Sequence, residues 1–365
     1  MPSRHIVLPS INHTINEVIN DAITKQSRRD RFMMTETLKL VSTKDGEQIA
    51  VWKIVDTAKD EKKTDVLTTN APRVKAQNIL LTHGTFSDKQ TCLRIAHYLA
   101  QLGHHCYIME WRGHGASSIP TDKFNFETVA TYDFEATFRY LFAELTLDNL
   151  HCVTHSGGGA CLTMFLIQNP QYIDHINSIS MFACQVYGAV SNPISYTKIL
   201  AAKVFTRLLG FIPAKKLKMG PFNESYYTMN QWYGWNLNKD FKSSFIQQSK
   251  FETTTIDENM PSNIASENAA SHTTSHNSHF DYRQHMSMIT TPIYAISAKG
   301  DHFISPTRGC QLFFDKFANP KNVFREYSLD HGDLDDYTHS RIMISRNAAT
   351  EIWPTVTAWI EKHAR

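Results

Sequence analysis

Apolar and polar residues alternate at the start of the readable pattern and then give way to short apolar runs separated by stretches with helical spacing. Thr35–Ser42 and Gln48–Val55 both alternate and flank Asp45-Gly46, a dipeptide suited to a tight reversal. The pattern predicts a hairpin at the edge of a sheet. Ile79–His83 then reads as a buried strand, Lys89–Leu102 as a helix, Cys106–Glu110 as a strand and Phe126–Leu145 as an amphipathic helix. Leu150–Thr154 is a third apolar strand, and it runs into a glycine-rich turn at Ser156 with a helix over Ala160–Gln168. Strands alternating with helices imply a mostly parallel central sheet with helices on both faces.

The alternation stops at about Gln185 and resumes after Ser287. Pro292–Ser297 is the next strand, Pro306–Phe317 a helix, Val323–Leu329 a last strand, and a closing helix begins near Ile352 with Pro354 in its first turn. This predicts an N-terminal arm over residues 1–30 and an α/β core over 31–184 and 288–365, with residues 185–287 inserted as a helical cap. Lys59–Lys75 and the Ser-, Asn- and His-rich stretch Ser262–Ser278 read as loops.

Composition narrows the function. A net charge of +2 gives no strong pull on nucleic acid. Six cysteines stand singly without CxxC spacing, which points to buried reduced thiols rather than a zinc site or disulfide framework. No cofactor motif is present, so no cofactor is expected. The N-terminus lacks the continuous apolar core of a secretory signal, and no run reaches the roughly 18–20 apolar residues of a membrane span. A cytoplasmic protein without stable membrane insertion is expected, with peripheral contact left open and the oligomeric state unspecified. His272, His276 and His279 have metal-ligand spacing on a helix, but their Ser- and Thr-rich surroundings favour surface histidines and no metal.

Candidate chemistry centres on Val153-Thr-His-Ser156-Gly-Gly-Gly159. A serine nucleophile on a sharp strand-to-helix turn needs small residues two positions to either side. Gly158 supplies one, and Thr154 stands where glycine is usual. A serine also needs a base held by a third group, in the chain order Ser, acid, His. Asp301, in Ser-Ala-Lys-Gly-Asp-His, and His331, in Leu-Asp-His-Gly-Asp, both follow strands at their C-terminal ends, where open parallel sheets carry their sites. Asp301 has a second reading as a cap for the turn near Ser305. His302 is set beside the acid rather than facing the serine, and Asp330 and Asp333 read as local turn groups. The oxyanion donors are assigned to the amide of Gly157 and to the loop His83-Gly-Thr-Phe-Ser87, with Thr85 first and Phe86 second.

Together these motifs resemble the α/β-hydrolase superfamily over roughly Ile79–His363 apart from the insert. His83-Gly84 resembles its oxyanion loop and Arg112-Gly-His-Gly-Ala-Ser117 its RGHGxS segment. Tyr132–Ala136 is similar to the helix before the elbow in acid-lipase-like members, and His331-Gly-Asp-Leu with Glu351–Ile360 to the closing stretch of lipases and esterases. The resemblance implies an α/β-hydrolase fold and acyl transfer to Ser156, followed by deacylation through His331, most commonly on a carboxylic ester. Arg112 and His114 are then structural braces. Within the cap, Trp232 and Trp235 are candidates for lining the site of a small hydrophobic ester, and Tyr196–Phe222 has the makings of a basic amphipathic helix. An acyltransferase or thioesterase using the same triad, and a non-catalytic ligand-binding relative, are the alternatives.

Overall fold

The computed structural model describes residues 34–61, 75–247 and 279–365. The expected arm, most of the Lys59–Lys75 loop, Ser262–Ser278 and with them His272 and His276 lie outside the described residues. His279 is exposed at the start of a short strand, His279–Asp281.

Eight strands form the central sheet: β1 (Met34–Ser42), β2 (Gln48–Asp56), β3 (Asn78–Thr82), β4 (His105–Met109), β5 (Leu150–His155), β6 (Ile176–Phe182), β7 (Ile293–Ala298) and β8 (Val323–Tyr327). Their order across the sheet is β1-β2-β4-β3-β5-β6-β7-β8. β1 and β2 form the antiparallel edge hairpin, β2 pairs antiparallel with β4, and every later pairing is parallel. The predicted strands and their order along the chain are therefore present. β6 is an addition: all seven of its residues are buried, but Asn177, Ser178 and Ser180 interrupt its apolar pattern. Ser178 Oγ satisfies His151 Nδ1 at 2.8 Å, so one of these polar residues serves a partner inside the sheet.

Helices cover both faces. α1 (Gln90–Gln101) and the C-terminal helix bury Ile95, Leu99, Val356 and Ile360 in one apolar cluster. The helical run α2 (Phe126 to Glu144, with π-helical turns at Val129–Phe134 and Tyr140–Glu144) and α3 (Gly157–Gln168) bury Phe134, Phe138, Leu162 and Phe165 in the other. Between β6 and β7 the chain builds α4 (Pro193–Leu209) and α5 (Tyr226–Asn238). Asn192 caps α4 in a capping box with Ser195, and Gly210 ends it at φ 79°.

The inserted segment is tied to the core by a buried carboxylate. Glu127 of α2 accepts hydrogen bonds from Tyr282 Oη at 2.6 Å and from the Ser244 amide at 2.6 Å, and from Ser243 Oγ. Arg112 braces the loops below the site. Its Nε donates to Asp133 at 2.7 Å and its Nη1 to Asp45 of the hairpin turn at 2.6 Å. All six cysteines are buried and none is in a disulfide. Among the described residues no helix is long and apolar enough to cross a membrane.

Candidate active site

β5 delivers Ser156 to a turn at φ 53°, ψ −124°, a conformation that costs a serine roughly 1–3 kcal/mol and lifts its Oγ clear of strand and helix. The β-branched Thr154 fits upstream because space is available at Gly159. A Cβ on that residue would stand 3.2 Å from Thr154 Oγ1 and 2.5 Å from Cys184 Sγ. The third glycine of the run thus accommodates the departure from the usual small residue.

Asp301 stands just beyond β7 and does two things. Its Oδ1 accepts the Ile304 amide and its Oδ2 the Ser305 amide, both at 3.0 Å, so it caps the following turn as one reading had it. Its Oδ2 also accepts a hydrogen bond from a histidine Nδ1–H at 2.6 Å, and the same ring's Nε2 accepts from Ser156 Oγ–H at 2.8 Å. That histidine is His339. Burial alone would raise the Asp301 carboxyl, but the bonds from His339, Ser305 and Ile304 hold it below its ordinary range.

His331 is thereby corrected. It closes a short 3-10 turn, Leu329–His331, ended by Gly332 at φ 83°, and its exposed ring reaches only the Glu326 carbonyl at 3.4 Å. The physical reason lies in the turn that follows β8. β8 is the edge strand, three strand spacings or about 14 Å from β5. The residues past its end are taken up by the Leu329–His331 turn, which keeps His331 beside β8. The loop through Tyr337 does return. The Gly300 amide donates to the Tyr337 carbonyl at 3.0 Å, anchoring the histidine loop beside Asp301. The signal available in the sequence was the second histidine, His339, in the same post-strand loop.

Gly300 is required for that approach, since a Cβ there would lie 2.0 Å from the Asp336 carbonyl oxygen. Gly300→Ala is expected to push the loop away and cut kcat at least tenfold with KM little changed, as kinetics on a soluble ester would show. Activity within twofold of wild type would contradict this role.

His155, beside the nucleophile, donates Nε2–H to the His339 carbonyl at 2.9 Å, and burial lowers its pKa to about 3. Sequence reasoning passed over this support. His83 is likewise neutral, lowered to about 3 by burial; its Nδ1–H donates to the Gly84 carbonyl at 2.7 Å and its Nε2 accepts the Trp111 amide at 3.3 Å. It fixes the loop carrying Thr85.

Thr85 and Gly157 both border the cavity at Ser156. The Gly157 amide lies at the first turn of α3, where helix geometry leaves it without an intrahelical acceptor. Phe86 is different. It sits at φ 66°, and its amide donates to Glu224 Oε1 at 3.1 Å. Glu224 also accepts from His114 Nε2 at 2.8 Å, so Phe86 belongs to a brace between this loop and the segment joining β6 to β7, and its amide is not directed to the oxyanion position. Arg112 and His114 are braces, as expected. His302 is exposed, and Asp333 holds the turn after β8 by accepting from the Ser328 amide at 2.8 Å and Arg325 at 2.7 Å.

The cavity has a volume of about 230 Å³ and is lined mainly by apolar side chains, Trp232, Trp235, Tyr233 and Met229 of α5 among them. Both tryptophans singled out in the sequence are there. Among the described residues no cluster of His, Cys, Asp and Glu is placed to hold a metal.

A family model described as the alpha/beta hydrolase fold matches residues 77–335, stopping short of His339. Solved structures share the fold at low identity. An esterase from Exiguobacterium antarcticum is 11% identical with a TM-score of 0.55, over 89% of this chain and 100% of that one. A Pyrococcus furiosus esterase is 12% identical with a TM-score of 0.53, over 91% and 92% of the two chains. Mouse alpha/beta hydrolase domain-containing protein 10 is 12% identical with a TM-score of 0.51, over 89% and 99%. No curated protein matches the chain.

Proposed function

The chain belongs to the α/β-hydrolase family, and we propose that it is a serine hydrolase that cleaves a carboxylic ester of a hydrophobic acyl group. The observation that carries this reading is the hydrogen-bonded chain from Ser156 Oγ through the His339 ring to Asp301, at 2.8 and 2.6 Å. Ser156 Oγ attacks the acyl carbon while His339 Nε2 takes its proton. Asp301 holds the ring and stabilises the imidazolium. The oxyanion is met by the amides of Gly157 and Thr85. On collapse, His339 gives its proton to the departing alkoxide, leaving an acyl group on Ser156. Water gives a proton to His339 and attacks the acyl carbon; the carboxylic acid departs as His339 returns the proton to Ser156 Oγ. The apolar cavity wall supports a hydrophobic acyl group. The buried, unbridged cysteines suit the reducing cytoplasm.

A p-nitrophenyl ester series of rising chain length tests the reading. Hydrolysis is expected in wild type and absent in Ser156→Ala. Trp232→Ala opens the cavity wall, and is expected to lower kcat/KM for the best ester about tenfold and shift preference to longer chains. An unchanged chain-length profile would remove Trp232 from substrate selection. Failure to hydrolyse any ester in the series would sink the esterase reading.

A further inference from the structure

α4 turns an apolar side to water. Only Ile199 and Thr206, two turns apart on one stripe, are buried. At about 100° per residue, Ile194, Ala201, Val204 and Leu208 occupy the arc opposite that stripe. Ile194 is 69% exposed, Val204 52% and Leu208 81%. A surface helix ordinarily places polar residues on this arc. Here Thr197 is the one polar residue on it, and the cations stand on its flanks, Lys198 on one side and Lys203 and Arg207 on the other.

The chain after α4 extends the same character. Exposed Leu217 and Met219 are interleaved with Lys215, Lys216 and Lys218. Between Val190 and Asn223 there are six basic residues and no Asp or Glu. Among the described residues none of the six pairs with a carboxylate. Phe205, Leu217 and Met219, all exposed, also line the cavity that holds Ser156. The outer apolar surface is therefore continuous with the candidate active site.

An apolar arc flanked by unpaired cations matches a partner that is apolar beneath an anionic layer. A second copy of this face would oppose the same cations to one another across a two-fold axis, which disfavours self-association there. We propose that the outer face of the cap seats on a lipid bilayer carrying acidic headgroups, with α4 in the interfacial plane and the mouth of the Ser156 cavity turned toward the acyl chains. This goes beyond the hydrolytic reading, because seating requires no reaction at Ser156.

The test is sedimentation of the full chain with phosphatidylcholine vesicles, with and without about 30 mol% phosphatidylglycerol. Partitioning at least tenfold stronger onto the acidic vesicles is expected, with loss of that difference at about 0.5 M salt. Val204→Glu with Leu208→Glu, two exposed positions outside the cavity, is expected to reduce binding at least tenfold and leave hydrolysis of a soluble short-chain ester unchanged. Lys215→Gln and Lys216→Gln are expected to cost about fivefold each. Equal, weak partitioning onto both vesicle types by a chain active on the soluble ester would overturn the proposal. So would a concentration-dependent dimer abolished by Leu208→Glu in a chain that binds no vesicles, which would assign the face to a second copy. Vesicle binding without ester hydrolysis would uphold the seating and remove the hydrolytic reading.

Discussion

His339→Ala is expected to lower kcat/KM for a soluble p-nitrophenyl ester by about 10⁴-fold or more, whereas His331→Ala stays within about twofold of wild type. The two histidines lie in one loop and differ in what they touch. His339 bridges Ser156 and Asp301 through its two ring nitrogens, and His331 is exposed beside the Glu326 carbonyl. Removing the base leaves a serine that no group deprotonates, while removing His331 deletes a solvent-facing ring. Because serine and base act as one unit, Ser156→Ala combined with His339→Ala is expected to lose little more than either change alone. Activity retained in His339→Ala and lost in His331→Ala would contradict the assignment.

Stability is expected to fall steeply as pH drops from 6.5 towards 4. Burial lowers the pKa of His83, His151 and His155 to about 3 and that of His104 to about 4. In the unfolded chain each returns to the ordinary value near 6.5. Within this window the unfolded state binds more protons, so the free energy of unfolding decreases as pH falls. Asp133 works against this: burial raises its carboxyl to about 6 despite the adjoining Arg112, so the folded chain takes one proton back. Glu224 raises the pKa of His114, against its burial, so the stability that pair adds is present below 6.5 and lost as pH rises; it does not offset the acid loss. A net uptake of about three protons gives a slope of about 4 kcal/mol per pH unit where fully developed. Urea midpoints at pH 7, 6 and 5 should decrease in that order. A flat series would show that these rings are protonated in the folded chain.

The hairpin, the parallel strands, the elbow and Asp301 were legible because each is written locally. The hairpin has alternation around Asp45-Gly46, the strands have apolar runs, and Ser156 and Asp301 follow strand ends directly. β6 was not legible, because Asn177, Ser178 and Ser180 look like an exposed face until His151 is seen to take one of them as a partner. His331 is the base the sequence suggests because it follows the last strand directly. The Leu329–His331 turn keeps the earlier ring beside β8, and the Gly300–Tyr337 hydrogen bond, made between segments distant in the chain, brings the later one to Ser156. Phe86 is a similar case, since the acceptor of its amide, Glu224, lies far along the chain.

The segment between β6 and β7 shows the same division. Its aromatic content marked Trp232 and Trp235, and both line the cavity. The side of α4 that faces water could not be read from periodicity, because an apolar stripe is ordinarily taken to face the protein's own core. Packing chose the narrow stripe of Ile199 and Thr206 instead.

The most direct test of the central claim is the rate of labelling by a fluorophosphonate, which reports an activated serine whatever the natural ester. Rapid labelling of wild type and of His331→Ala is expected, with none in Ser156→Ala and a severe loss in His339→Ala. Folded wild type that resists the probe, or His339→Ala that labels at the wild-type rate, would contradict the account.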